Sequence, residues 1–140
     1  MSDDSQATPI RSETSLRTLA IVGYILFLMA IFNGLTAVAG VLIAYIKRDE
    51  ARGTIWYSHF GNLITVFWVM LLGTFAGFML YALLFPVSIG LILSGHFVWP
   101  AVSLLSLPIV LTLALWPVLF VWFLYRIIRG LIHASDHSAY

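Results

Sequence analysis

Two long stretches of the chain carry no charged side chain. Residues 18–46 and residues 53–125 contain no Asp, Glu, Lys or Arg, and apolar residues fill most of both stretches. A helix that crosses the hydrocarbon core of a bilayer needs about 20 predominantly apolar residues. The pattern therefore predicts membrane-embedded helices in both stretches, with three short charged clusters before, between and after them.

The longer uncharged stretch has room for two helices. We place one over about residues 55–85 and the other over about residues 101–131. The Gly and Pro residues between Pro86 and Pro100 are turn signals. Trp99 is typical of an anchor at the membrane surface, so we expect this connection to lie close to that surface.

The shorter uncharged stretch fits either one helix or two. A single helix over residues 18–46 would be about 43 Å long at about 1.5 Å per residue. It would need a tilt of about 45° to fit a hydrocarbon core about 30 Å thick. Asn33-Gly34 lies near its middle and is a strong turn dipeptide. We therefore predict two short helices, about residues 15–32 and 35–47, which either span a thinned bilayer or form a re-entrant hairpin.

Together these elements predict an all-α integral membrane bundle of four helices with both termini on the same side. Residues 1–14 are predicted to be a disordered cytoplasmic tail, and residues 133–140 a short polar tail. With a hairpin at Asn33-Gly34, all seven Lys and Arg lie on one side, which the positive-inside rule makes cytoplasmic. We expect a multi-pass protein of a bacterial inner membrane. In the three-helix alternative the N-terminal tail lies on the opposite side.

Composition supports lipid as the main solvent of the chain. Of its 140 residues 9% are charged, against about 25% in an average soluble domain, and the mean hydropathy is +1.01. The absence of cysteine excludes disulfides and thiolate metal sites. A net charge of +1 gives no reason to expect nucleic acid as a partner. The expected partners are the lipid bilayer and either a second copy of the chain or another membrane protein.

Three polar residues lie within or beside the apolar segments and form a candidate polar site: Asn33, His59 and Asn62. Polar residues at membrane depth mark functional sites by default. His59 and Asn62 are three positions apart and share a helix face. They either contact a proton or ligand, or bond neighbouring helix ends in a structural role, and we favour the structural role.

Gly73 and Gly77 form a G-x-x-x-G pair in the third predicted helix. Small residues at this spacing let two helix backbones approach closely. The pair is a candidate helix-packing site, either in a dimer of two chains or against a neighbouring helix of the same chain. We favour packing within the chain.

The charged loop between the second and third helices has mixed sign and consists of Lys47, Arg48, Asp49, Glu50 and Arg52. It is either a solvated loop that sets the topology or a surface that docks a partner in the cytoplasm. Arg126 and Arg129 are candidate partners for Asp49, Glu50 or lipid phosphates at the same face.

We expect no cofactor, metal site or catalytic residue. Haem held by two histidines would need two imidazoles that face each other across a cavity, whereas His59 and His96 lie at opposite depths of the predicted bundle. The sequence contains neither H-E-x-x-H nor G-x-S-x-G. The uncharged stretches hold no carboxylate, which argues against a proton- or cation-driven pump.

Several motifs occur in a familiar order along the chain. They are Gly34-Leu35-Thr36, residues 43–51 (IAYIKRDEA), Ser58-His59-Phe60, residues 65–68 (TVFW) and residues 125–131 (YRIIRGL). In this order they resemble the small bacterial membrane proteins of domain-of-unknown-function family 4870. That family is related to Tic-twenty, a membrane subunit of the chloroplast inner-envelope import translocon. The resemblance implies a compact four-helix bundle with both termini on one side, and it implies no activity.

Two functions fit these features. The first is a non-enzymatic structural or accessory component of the inner membrane, which acts through helix packing and through its cytoplasmic charged loop. The second is a small transporter or channel component, which at this size would need to oligomerise to form a pore. A water-filled cavity lined by Asn33, His59 and Asn62 would favour transport, whereas a dry bundle with an exposed Gly73 and Gly77 face would favour assembly.

Overall fold

The computed structural model describes residues 4–95 and 98–140, with the side chains of residues 13–95, 99–100 and 102–140. Within these residues the chain forms four α-helices and no β-strand. They are α1 (Asp4–Met29), α2 (Leu35–Arg48), α3 (Trp56–Ser94) and α4 (Val98–Ser135). The prediction of an all-α chain with four helices is confirmed for this part of the sequence.

The helices are divided between two compact units. Unit 1 comprises Met1–Trp68 and Phe123–Tyr140, and unit 2 comprises Val69–Trp122. Unit 1 therefore contains α1, α2, the first turns of α3 and the last turns of α4. Its core is built from apolar side chains that all four helices contribute. They include Leu16, Phe27, Val41, Ala44, Phe60, Leu63, Val66 and Ile127.

In unit 1, α1 and α2 form a helical hairpin around residues 30–34. The Leu35 backbone N–H donates to Asn33 Oδ1 at 3.1 Å, which closes the turn where α2 begins. Gly40 permits the close approach of the two helices, because a Cβ there would lie 2.9 Å from the Phe27 ring. The turn dipeptide therefore separates two helices, as its sequence predicts.

α1 begins at Asp4, inside the stretch predicted to be a disordered tail. Residues 4–14 include Gln, Ala, Arg and Glu, which favour helix more than most polar residues do. Adding residues to an existing helix costs much less than nucleating a new one. The polar residues therefore continue the helix that the apolar part of α1 establishes, while residues 1–3 lie outside the described part of the chain.

The connection between α3 and α4 is much shorter than the predicted turn region of residues 86–100. α3 continues through Pro86 and ends at Ser94, and Gly95, which follows it, has a left-handed φ of +71°. Pro100 falls in the first turn of α4, where the backbone N–H groups have no partner within the helix. Pro86 removes one backbone hydrogen bond, but in a helix that crosses a bilayer unwinding would leave several more backbone groups unpaired. Most of residues 86–100, which the sequence predicts to form a turn, therefore lie within α3 and α4.

Within the described residues, two helices are long and apolar enough to cross a membrane, namely α3 and the Val102–Ser135 part of α4. Only 11% and 6% of the residues in their most apolar windows are buried within the protein, whereas the core helix of a soluble protein would be mostly buried. A helix that is apolar on all sides is normally surrounded by protein or by lipid. Exposed apolar helices of this length are compatible with membrane association.

Candidate functional site

His59 and Asn62 lie on successive turns of α3 in unit 1 and are almost fully buried, with 0% and 2% of their surface exposed. Their three-residue spacing places both side chains on one face of the helix. Buried polar groups are costly unless they find hydrogen-bond partners. The contacts of these two side chains therefore define what the site can do.

A chain of hydrogen bonds connects four buried or part-buried side chains. Arg126 Nε donates to Asn62 Oδ1 at 2.7 Å, and Asn62 Nδ2 donates to Tyr24 Oη at 3.1 Å. Tyr24 Oη lies 3.2 Å from His59 Nδ1, and His59 Nε2 lies 2.8 Å from the Ser138 carbonyl oxygen. A carbonyl oxygen only accepts, so Nε2 of the neutral ring carries the proton and Nδ1 accepts from the Tyr24 hydroxyl. We call these five groups the Tyr24–His59 chain.

All donors in the Tyr24–His59 chain point the same way, from Arg126 towards the Ser138 carbonyl. Hydrogen bonds in such a sequence polarise one another and become stronger. If His59 were doubly protonated, Nδ1 would carry a hydrogen and could no longer accept from the Tyr24 hydroxyl. Two donors, the Nδ1–H and the Tyr24 O–H, would then face each other. Because these hydrogen bonds join residues of α1, α3 and α4, they fix the positions of the three helices relative to one another in unit 1.

Two glycines make the room that Tyr24 needs. Its ring is fully buried and lies against α4 at Gly130, where an added Cβ would overlap the ring. At the neighbouring position of α1, a Cβ on Gly23 would lie 2.7 Å from Leu63 Cδ1 of α3. α1 thus approaches α3 and α4 at positions that lack a side chain, which brings the Tyr24 hydroxyl within reach of His59.

Residues 136–140 fold back over the start of α3. The Tyr140 backbone N–H donates to Ser58 Oγ at 3.1 Å. The guanidinium of Arg126 lies 5.0 Å from the centre of the Tyr140 ring, a cation–π distance. The polar tail therefore packs around the Tyr24–His59 chain and supplies its last acceptor.

Asn33, the third residue of the candidate polar site, lies apart from the Tyr24–His59 chain. It is exposed, and its side chain accepts from Leu35 in the turn between α1 and α2. The structure therefore brings together His59 and Asn62 and gives Asn33 a local role in the turn. His96 lies outside the described residues. In the described part of the chain, no group of His, Asp or Glu side chains could hold a metal ion.

The charged loop is paired largely within itself. Lys47 Nζ lies 2.7 Å from Glu50 Oε2, and Arg52 Nη2 lies 2.9 Å from Asp49 Oδ1. The four side chains are 30% to 76% exposed, so each pair contributes about 0–1 kcal/mol to stability. Arg48 instead lies over the Tyr57 ring, 4.8 Å from its centre. Apart from Arg48, whose Nε is buried, the loop is a solvated surface whose ion pairs contribute little to the fold.

Two arginines of α4 make contacts other than those considered from the sequence. Arg126 bonds Asn62, and Arg129 Nη1 donates to Tyr125 Oη at 2.7 Å. The candidate carboxylates, Asp49 and Glu50, form ion pairs within the charged loop. Sequence reasoning therefore missed that Arg126 belongs to the polar site. The signal in the sequence that could have indicated this was an arginine at the end of an apolar stretch, where it can reach polar side chains of other helices.

In unit 2, Gly73 and Gly77 lie on the side of α3 that faces α4. A Cβ at Gly73 would lie 3.0 Å from Leu119 Cδ1, and one at Gly77 would lie 3.9 Å from Thr112 Oγ1. The structure therefore uses the pair for contact between two helices of the same chain. Both glycines are half-buried, and Gly77 also lines an open groove of about 370 Å³ between α3 and α4.

No protein-family model, no curated protein and no solved structure matches this chain. The resemblance to domain-of-unknown-function family 4870 therefore stays a prediction. Two of the motifs that carry it contain His59 and Arg126, and both residues belong to the Tyr24–His59 chain.

Proposed function

We propose that this chain is a multi-pass protein of a bacterial inner membrane that acts as a non-enzymatic accessory component. The Tyr24–His59 chain is the observation that carries the proposal. Its polar side chains bond one another and the tail, so they act as a fixed polar core between helices. Such a core stabilises one arrangement of a bundle, and the exposed charged loop is then the part available to a partner.

A transporter or channel component is the alternative function. It would need polar side chains that line a water-filled passage. His59 and Asn62 instead lie buried and are hydrogen-bonded to protein groups. This arrangement supports the accessory role over transport.

The proposed topology places both termini and the charged loop in the cytoplasm, with the turn at residues 30–34 on the other side. Arg17 Nη2 donates to the Ser135 carbonyl oxygen at 3.2 Å, so the middle of α1, where its apolar part begins, lies beside the end of α4. The hairpin of α1 and α2 then returns the chain to the same end. The positive-inside rule assigns this end, which carries the basic residues, to the cytoplasm.

Single cysteines test this topology cleanly, because the chain contains none of its own. Asn33→Cys is expected to react with a membrane-impermeant maleimide added to intact spheroplasts, since the turn faces the periplasm. Glu50→Cys is expected to react only after lysis, since the charged loop faces the cytoplasm. The extent of labelling is read by mass shift on a gel. Protection of Asn33→Cys in intact and lysed cells, or labelling of both variants from outside, would contradict the spanning hairpin.

The charged loop is tested as the docking surface by neutralising its two ion pairs together. The variant carries Lys47→Gln, Asp49→Asn, Glu50→Gln and Arg52→Gln. Because the pairs are exposed, we expect the free energy of unfolding to change by no more than about 1–2 kcal/mol. In mild-detergent affinity purification, we expect the variant to lose a membrane protein that the unaltered chain retains, as measured by quantitative mass spectrometry.

The matched control removes one charge of each sign outside the loop, by Arg129→Gln together with Asp136→Asn, and should keep the partner. An unaltered chain that purifies alone as a monomer would count against the accessory role. Equal recovery of the partner by the loop variant would show that the loop is not the docking surface.

A further inference from the structure

Unit 1 contains a cavity of about 490 Å³ beside the start of α3. Its wall includes Glu13 and Arg17 of α1, Thr54 of the loop, Trp56 of α3 and His137 of the tail. Glu13 and Arg17 are four residues apart and therefore lie on one side of α1. The cavity thus presents a carboxylate, a guanidinium and an aromatic ring to the same space.

Arg17 is half-buried in this wall and forms no ion pair with a described residue. Its Nη2 donates to the Ser135 carbonyl oxygen, while its Nε is buried with no hydrogen-bond partner. Among the described residues the ion pairs within 4.0 Å are those of the charged loop, and Arg17 belongs to neither. Glu13 lies on the same wall but forms no ion pair with Arg17 within this distance, and a partly desolvated cation without a directly bonded counter-charge is unfavourable. A phosphate would supply that charge, since its oxygens match the fork of N–H donors on arginine.

Glu13 limits which phosphate-containing group can bind beside Arg17. A carboxylate on the same wall repels a simple anion, but it attracts an ammonium group. Phosphoethanolamine carries a phosphate and an ammonium joined by two carbons, so it is complementary to Arg17 and Glu13 at once. A phosphoglycerol head lacks the cation, and the quaternary ammonium of phosphocholine has no N–H with which to bond the carboxylate.

The position of the cavity favours a lipid as the source of this group. It lies where the polar loop gives way to the apolar residues of α3, and Trp56 begins that helix. The Trp56 side chain is itself buried and packs against the rings of His59 and His137, so the boundary between the polar loop and the apolar helix is what marks the level of the headgroups. If α3 crosses the bilayer, the cavity opens at the depth where lipid phosphates are found.

We propose that this cavity binds the phosphoethanolamine headgroup of a phospholipid, with its phosphate on Arg17 and its ammonium on Glu13. The proposal rests on the membrane location included in the proposed function and is independent of the accessory role. A chain that purifies without any protein partner can still carry the lipid, so the two proposals fail separately.

Native mass spectrometry of the full chain, purified in mild detergent and mixed with equimolar phosphatidylethanolamine and phosphatidylglycerol of the same acyl chains, tests the site. The unaltered chain should retain phosphatidylethanolamine in preference. Arg17→Gln should retain about tenfold less of either lipid, since a hydrogen-bonded charge contact to phosphate is lost. Glu13→Gln should bring the ratio of the two lipids close to one while total lipid is kept.

The matched controls are Arg52→Gln and Glu50→Gln, which make the same charge changes on exposed residues outside the cavity. Both should bind lipid as the unaltered chain does. Circular dichroism of each variant checks the fold, and Glu13→Gln remains informative if Arg17→Gln unfolds. Equal retention of the two lipids by the unaltered chain would overturn the proposal, as would normal selectivity in both cavity variants.

Soluble O-phosphoethanolamine separates a lipid from a free phosphate ester as the occupant. Short-chain phosphatidylethanolamine should raise the thermal midpoint of the detergent-solubilised chain more than O-phosphoethanolamine at the same concentration, because the acyl chains add apolar contact. An equal rise with both, together with no retained lipid, would assign the cavity to a soluble phosphate ester and overturn the lipid proposal.

Discussion

Gly130→Ala is expected to destabilise the protein by about 2–4 kcal/mol, because the new methyl group would overlap the buried Tyr24 ring. The ring is fully buried and must shift to admit the methyl group. Its hydroxyl then leaves both His59 and Asn62, which adds the cost of lost hydrogen bonds to the cost of overpacking. The change is measured by unfolding the protein in mixed detergent and SDS micelles, followed by circular dichroism.

Gly61→Ala is the matched control for this substitution. Gly61 lies in α3, also in unit 1, and a Cβ there would meet nothing within 4 Å. Replacing a helical glycine by alanine normally favours the helix by about 0.5–1 kcal/mol, so Gly61→Ala should be neutral or stabilising. If Gly130→Ala proves as stable as Gly61→Ala, Tyr24 does not pack against α4 as described.

Asn62→Leu is expected to destabilise the protein by about 2–4 kcal/mol, because it removes the centre of the Tyr24–His59 chain while nearly preserving side-chain volume. Arg126 Nε loses the acceptor that it has at 2.7 Å, and Tyr24 Oη loses a donor. Single hydrogen bonds between membrane helices are worth only about 0.6 kcal/mol on average. The larger expected effect comes from leaving a part-buried charged group without one of its acceptors.

A double-mutant cycle with Tyr24→Phe tests whether these groups act as one chain. Because Asn62→Leu already removes a partner of the Tyr24 hydroxyl, the double variant should lose less stability than the sum of the single variants, by about 0.5 kcal/mol or more. Both variants and their combination are unfolded in the same micelles. Additive losses would mean that the two side chains contribute independently, which would contradict the described contact.

The two kinds of polar contact in this protein differ in what they do. The ion pairs of the charged loop are exposed to solvent, and water replaces them at little cost when they are removed. Tyr24, His59 and Asn62 of the Tyr24–His59 chain are almost fully buried, so water does not replace a partner that these side chains lose. Stability is therefore concentrated in the buried chain, whereas the loop is free to change without loss of the fold.

Helix boundaries were predictable where the signal is local and strong. The turn at Asn33-Gly34 places α2 at residues 35–47, and the structure has it at Leu35–Arg48. The same reasoning fails at Pro86, which lies inside α3. In a helix that crosses a bilayer, the turn propensity of single residues is weaker than the cost of unwinding the helix. Local propensity decides only where tertiary and solvent terms do not oppose it.

The sequence predicted two residues of the Tyr24–His59 chain and missed their partners. His59 and Asn62 are conspicuous because a buried polar side chain must be satisfied somewhere. The partners of these two residues cannot be recognised in the sequence, because they are far from them along the chain. Tyr24 is 35 residues from His59, and Arg126 is 64 residues from Asn62. Ser138 is 79 residues from His59 and contributes its backbone carbonyl, a role that its residue type does not reveal.

By itself, the sequence determined the helical class, the division into four helices and the two polar positions of α3 that need partners. These follow from the spacing of charges, apolar runs and turn residues, which are properties of neighbouring positions. Only the tertiary structure decided that Gly130 admits the Tyr24 ring and that His59 and Asn62 meet Tyr24 and Arg126 while Asn33 does not. The physical reason is that a hydrogen bond needs two atoms within about 3 Å, and the packing of distant helices sets that distance.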